Sequence, residues 1–210
     1  MIWIAGVCTV CLCVCMPLYL HYKAAHLPLA CCYKSLGTLC AFLLALIAGI
    51  RLDPKCYICA GGIFLYAVAD YLLEFRFELG AGFFLAGHIC LIAFFLNLAP
   101  VSTLHLVCLI LLCVLMGFVY YRWRSPMRKQ LPLFIVYGLA LVMMSACSLG
   151  CFPTHGTAGI LIACGGALFL VSDLLLLRRL VFPADFSFNW VIMTTYYVSI
   201  LLFGIACLQC

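Results

Sequence analysis

The chain has 210 residues, of which 69% are hydrophobic and only 8% charged, with a formal net charge of +5. Soluble globular chains are about 25% charged, so this composition excludes a soluble domain of this length. The positive balance reads as membrane topology, not as a footprint for nucleic acid.

Apolar runs of roughly 20 residues predict membrane-spanning helices, and eight follow one another. The first, 1–20, holds the stretch "CTVCLCVC" from Cys8 to Cys15. It lacks the basic start and small-residue cleavage site of a signal peptide, so it is read as a helix. The second, 28–50, carries Lys34, and the third, 56–75, carries Tyr66 and Asp70. The fourth, 80–98, carries His88. The fifth, 102–121, runs into the basic stretch "RWRSPMRK", Arg122 to Lys129. The sixth, 131–150, carries Tyr137, the seventh, 157–177, carries Asp173, and the eighth, 189–209, carries Tyr196. The connections are short, so residues 1–210 are expected to form one transmembrane domain. Backbone polar groups in lipid must satisfy one another, which predicts an all-α polytopic bundle. The runs are too long and continuous for a transmembrane barrel.

Lys23, Lys34, Arg76, Arg122, Arg124, Arg128, Lys129, Arg178 and Arg179 lie in or beside the connections after helices one, three, five and seven. Arg51 and Lys55 lie on the other side. This asymmetry places the odd connections in the cytoplasm and both termini in the lumen or outside. Most of the 17 cysteines sit inside helices, where Cys acts as a small apolar residue. CxxC pairs occur at Cys56/Cys59 and Cys207/Cys210, but without partner pairs or neighbouring His they make a weak metal signal.

Two stretches resemble each other: "GIFLYAVADYLLEF" from Gly62 and "GALFLVSDLLLLR" from Gly166. In each a glycine precedes the aspartate by eight residues (Gly62, Gly165) and an aromatic precedes it by four (Tyr66, Phe169). Helical spacing stacks the three on one face. The two aspartates lie four helices apart, which suggests two parallel four-helix repeats. The glycines would let neighbouring backbones approach beside each acid. Counting along the helices places Asp70, Asp173, Lys34, Tyr137, His88 and Tyr196 about 6–12 Å below the cytoplasmic boundary, in one layer.

Each of these residues also has a structural reading. Either acid could pair with Lys34 alone, Lys34 could snorkel, His88 could be a hydrogen-bonded packing residue, and the tyrosines could belong to an interfacial belt. Glu74 and Glu78 are expected to be solvated. What favours function is two carboxylates meeting a cation and a histidine at one depth. Such a pair can divide labour, one protonated as general acid, the other ionised to stabilise a cation or orient water. That suits acid-initiated cleavage through an oxocarbenium-like state. It does not suit acyl transfer, because no Ser-His-Asp, GxSxG or Cys-His pattern is present.

Several stretches resemble the YhhN-like family of membrane lysoplasmalogenases. They are "YK" at Tyr33–Lys34, "ADYLL" at Ala69–Leu73, "GAGFFLAGHICLIAF" at Gly80–Phe94, "LPLFIVYG" at Leu131–Gly138, "ALFLVSD" at Ala167–Asp173 and "TTYY" at Thr194–Tyr197. The chain departs from the family at Ala69, where Gly is usual, at Ser35, where Pro is usual, and at Ile200, where Gln is common. The resemblance implies eight spans and hydrolysis of the vinyl ether of a lysoplasmalogen to a fatty aldehyde and a glycerophospho-alcohol. It implies no metal or cofactor. Asp70 and Asp173 would be catalytic, in an order left open, with Lys34, Tyr66, His88, Tyr137 and Tyr196 binding substrate or supporting the acids. The partners would be a lysophospholipid and the bilayer, with no nucleic acid, and the location in a eukaryotic cell the endoplasmic reticulum, with the site facing the cytoplasm. The competing readings are a proton-coupled lipid or small-molecule transporter and an inactive regulatory paralogue.

Overall fold

The computed structural model describes residues 2–123, 131–182 and 186–209. Eight successive helices make up these residues, and seven of them are long and apolar enough to cross a membrane. The chain is an all-α polytopic membrane protein. Helix α1 runs unbroken through three stretches, Ile2–Thr9, Val10–Cys15 and Met16–Ala24, the middle one π-helical. There the Met16 amide donates to the Cys11 carbonyl, five residues back. The widened turn lies just before Pro17, whose ring would otherwise press on a carbonyl four residues earlier.

The others are α2 (Leu29–Arg51), α3 (Cys56–Leu72), α4 (Phe77–Leu98), α5 (Thr103–Trp123), α6 (Leu131–Gly150), α7 (Gly156–Val181) and α8 (Phe186–Cys207). Helix α3 is the exception in length. It stops at Leu72, not at 75 as its apolar run predicts, and its 17 residues extend about 25 Å at 1.5 Å per residue. The chain closes there in a tight turn, with the amides of Phe75 and Arg76 both donating to the Leu72 carbonyl at 3.0 and 2.7 Å. Leu73 then packs where a side chain on Gly80 would stand, 2.7 Å from such a Cβ, so α4 can start close beside the end of α3.

Six helices close a ring: α2 touches α3, α3 touches α4, α4 touches α6, α6 touches α7, α7 touches α8, and α8 returns to α2. Helix α1 packs against α2, and α5 packs against α6. Shifting each helix of the first half by four carries these contacts into those of the second, the pattern of two parallel halves. The glycines named above serve this packing. A Cβ on Gly62 would come 3.1 Å from the Gly87 carbonyl oxygen of α4, and one on Gly165 would come 3.1 Å from the Ser199 carbonyl oxygen of α8. Small residues at such crossings let helix backbones meet in lipid, where hydrophobic burial gives no driving force between helices.

Candidate active site

Gly62, Tyr66 and Asp70 share one buried face of α3. Asp70 is wholly buried, and its carboxylate has three partners from two other helices. The Lys34 ammonium lies 3.0 Å from Oδ1. The hydroxyls of Thr38 and Tyr196 donate to Oδ2 at 2.5 and 2.8 Å. Thr38 follows Lys34 by four residues, so the two project from the same face of α2. The Lys34 ammonium stands 6.0 Å from the centre of the Tyr19 ring, and the Tyr197 hydroxyl donates to the Lys34 carbonyl at 2.9 Å. Gly37 makes room for the Tyr197 ring, which a Cβ would meet at 2.7 Å. Burying an unpaired carboxylate costs several kcal/mol or more, which the ion pair and the two hydroxyl donors offset.

Asp173 on α7 is compensated differently. Among the described residues it receives one hydrogen bond, from the Tyr137 hydroxyl of α6 to Oδ2 at 2.6 Å. Among the described residues no cation lies within ion-pair distance of it. The neighbouring Ser172 turns its hydroxyl to the Ile192 carbonyl at 3.0 Å, away from any nucleophilic role.

Both acids line one cavity, open at its mouth. Lys34, Tyr137 and Tyr196 also line it. Tyr66 and His88 do not: they stand behind the wall, the Tyr66 hydroxyl bonded to His88 Nδ1, with the His88 ring 5.2 Å from that of Tyr137. Tyr66 lies one helical turn deeper than Asp70, about 6 Å, which removes it from the cavity.

Thr38, Tyr19, Arg179 and Asn189 belong to the site although the sequence did not single them out for it. Thr38 partners Asp70, and the other three line the cavity. Only Thr38 had a signal, its i+4 spacing from Lys34. Glu74, expected to be solvated, instead pairs with Lys23 and ties the end of α1 to the end of α3. The two are close enough because both chains turn back at the same end of the bundle. Ser35 donates to the Ala67 carbonyl of α3 at 2.8 Å, fastening α2 to α3 at the level of the acids. Ile200 is fully buried and does not line the cavity. Arg124, Arg128 and Lys129 lie outside the described residues. Among the described residues no cluster of three or more His, Cys, Asp or Glu could hold a metal ion.

Residues 29–206 match the YhhN family, from the first residue of α2 to the last turn of α8. No curated protein and no solved structure matches the chain.

Proposed function

The chain belongs to the YhhN family, and from that membership and the unequal surroundings of its two acids we propose a membrane hydrolase that cleaves the vinyl ether of lysoplasmalogens. The observation that carries the reading is the contrast between Asp70, with a cation and two hydroxyl donors, and Asp173, with one neutral donor, in a single cavity. A carboxyl with one neutral partner in a buried site favours its protonated form, and a cation with two donors favours the ionised form.

Asp173 is therefore the acid and Asp70 the carboxylate. Asp173 protonates the vinyl carbon β to the ether oxygen, and the α carbon becomes an oxocarbenium ion. The Asp70 carboxylate stabilises that cation and takes a proton from the water that adds to it. The resulting hemiacetal collapses: Asp70 gives its proton to the glycerol oxygen as that C–O bond breaks, the hemiacetal hydroxyl proton passes to Asp173, and the aldehyde and the alcohol leave with both acids restored. Lys34 holds Asp70 in place and is not free for a phosphate. Arg179 lines the same cavity without an ion pair among the described residues, and it is the cation to receive the phosphate of the headgroup.

Purified protein in detergent, incubated with a 1-alkenyl lysophosphatidylethanolamine, should release free fatty aldehyde. Folded protein that releases none overturns the hydrolase. If the same protein in vesicles instead moves lipid in response to a pH gradient, the transporter reading replaces it.

A further inference from the structure

Helix α5 is the least embedded of the eight. Its buried side chains are His105 and Met116, and it presents Leu111, Val114 and Phe118 outward. Its packing is against α6, and a crevice runs between the two. Three residues, Met116, Tyr120 and Gly138, line both this crevice and the reaction cavity. The two spaces therefore share one thin wall. Gly138 is part of the reason it is thin: a Cβ there would run into the Tyr120 hydroxyl, which bonds the Phe134 carbonyl.

The outer lining is apolar and faces the bilayer. Leu139 is 59% exposed, Cys113 is exposed, and a Cβ on Gly117 would meet nothing within 4 Å. From Tyr120 to Cys113 the crevice descends seven residues, about 10 Å toward the bilayer centre. One end thus borders the cavity that holds the acids, the sides are hydrocarbon-like, and the length opens to lipid.

We propose that the crevice between α5 and α6 holds the single hydrocarbon chain of the substrate, which slides in sideways from the bilayer past Met116 and Tyr120. The inference rests on the hydrolase reading of the same cavity and names where its lipid lies. A largely apolar crevice open to lipid, whose Tyr120 hydroxyl is already bonded to Phe134, fits an alkyl chain and nothing charged, because an unpaired polar group there would lose its hydration without a partner. The headgroup then stays at the Arg179 end while the ether linkage lies between the acids.

The test uses a saturated 1-alkyl lysophosphatidylethanolamine with a diazirine at the chain terminus, which offers no vinyl ether to cleave. The full-length protein is irradiated with it in phosphatidylcholine vesicles, with and without excess unlabelled 1-alkenyl lysolipid, and the adducts are mapped. The competed label should fall on 113–120 and 135–142. Gly117→Trp, which builds into open space, should cut the competed label about tenfold, the scale of a filled apolar subsite. Competed label on α2, α3 or α8, no competed label at all, or an unchanged signal in Gly117→Trp overturns the inference. Competed label on α5 and α6 without aldehyde release in the separate assay keeps the lipid berth and removes the hydrolase. Aldehyde release with competed label elsewhere does the reverse.

Discussion

Lys34 and Tyr137 occupy equivalent places in the two halves of the chain. Each precedes by 36 residues the aspartate it contacts, and 103 residues separate them, as they separate Asp70 from Asp173. One contact is an ion pair at 3.0 Å, the other a neutral hydrogen bond at 2.6 Å. The same helix pair, α2 with α3 and α6 with α7, therefore delivers a partner to each acid. The halves differ in the charge of that partner, and it is this difference from which we propose separate roles for two otherwise similar carboxyls.

Stability should register that difference. Lys34→Met strips a buried carboxylate of its cation and should cost about 3–5 kcal/mol. Tyr137→Phe removes one hydrogen bond and should cost about 1–3 kcal/mol. Lys34→Met combined with Asp70→Asn should recover much of the first loss, since no charge is then left uncompensated. Thermal unfolding in detergent checks all three, and equal losses in the two single variants would show that Asp70 is not the charged member.

Asp70→Asn and Asp173→Asn should each lower aldehyde release by at least about 10²-fold, the contribution typical of a positioned acid or base. Both variants should still fold, because Asn keeps the shape and its carbonyl accepts from the same hydroxyls, with Asp70→Asn the less stable of the two since it leaves the Lys34 cation uncompensated. Initial rates with monodisperse protein test this. A variant keeping more than about a tenth of the rate removes that residue from the acid–base chemistry.

Selectivity should follow the bond. The 1-alkenyl lysolipid should be cleaved and its 1-acyl and saturated 1-alkyl analogues should not. An ester requires a nucleophile and an oxyanion hole, and a saturated ether has no carbon that protonation turns into a stabilised cation. In labelled water the aldehyde oxygen should carry the label. Comparable turnover of the acyl lysolipid, or label confined to the glycerol product, contradicts acid-initiated cleavage.

The cavity should open toward the cytoplasm. Lys23, Arg76, Arg122, Arg178 and Arg179 lie beside the end of the bundle that holds both acids, while Arg51 and Lys55 lie beside the other. A glycosylation acceptor inserted between residues 124 and 130 should stay unmodified in microsomes, and one placed after Arg51 should be modified. The opposite result would turn the site to the lumen.

Much of this was legible along the chain because it depends on one helix at a time. Apolar runs set the eight helices, and helical periodicity puts Gly62, Tyr66 and Asp70, or Gly165, Phe169 and Asp173, on one face. The repeat of those residues predicted the parallel halves, and the layer of Lys34, Tyr137 and Tyr196 came together around the acids as their depths implied. Depth along a helix follows from counting at 1.5 Å per residue.

What the chain could not disclose is the direction each helix faces once six of them close a ring. His88 lies at the right depth, yet its ring points behind the cavity to Tyr66. Arg179 reads as a topogenic charge, yet it lines the site, and Glu74 reads as solvated, yet it binds Lys23 across 51 residues. Which acid gains the cation and which only a hydroxyl is likewise a matter of azimuth. It depends on rotations of α2 and α6 about their own axes, which packing against neighbours fixes and which uniformly apolar surroundings leave unmarked in the residue pattern.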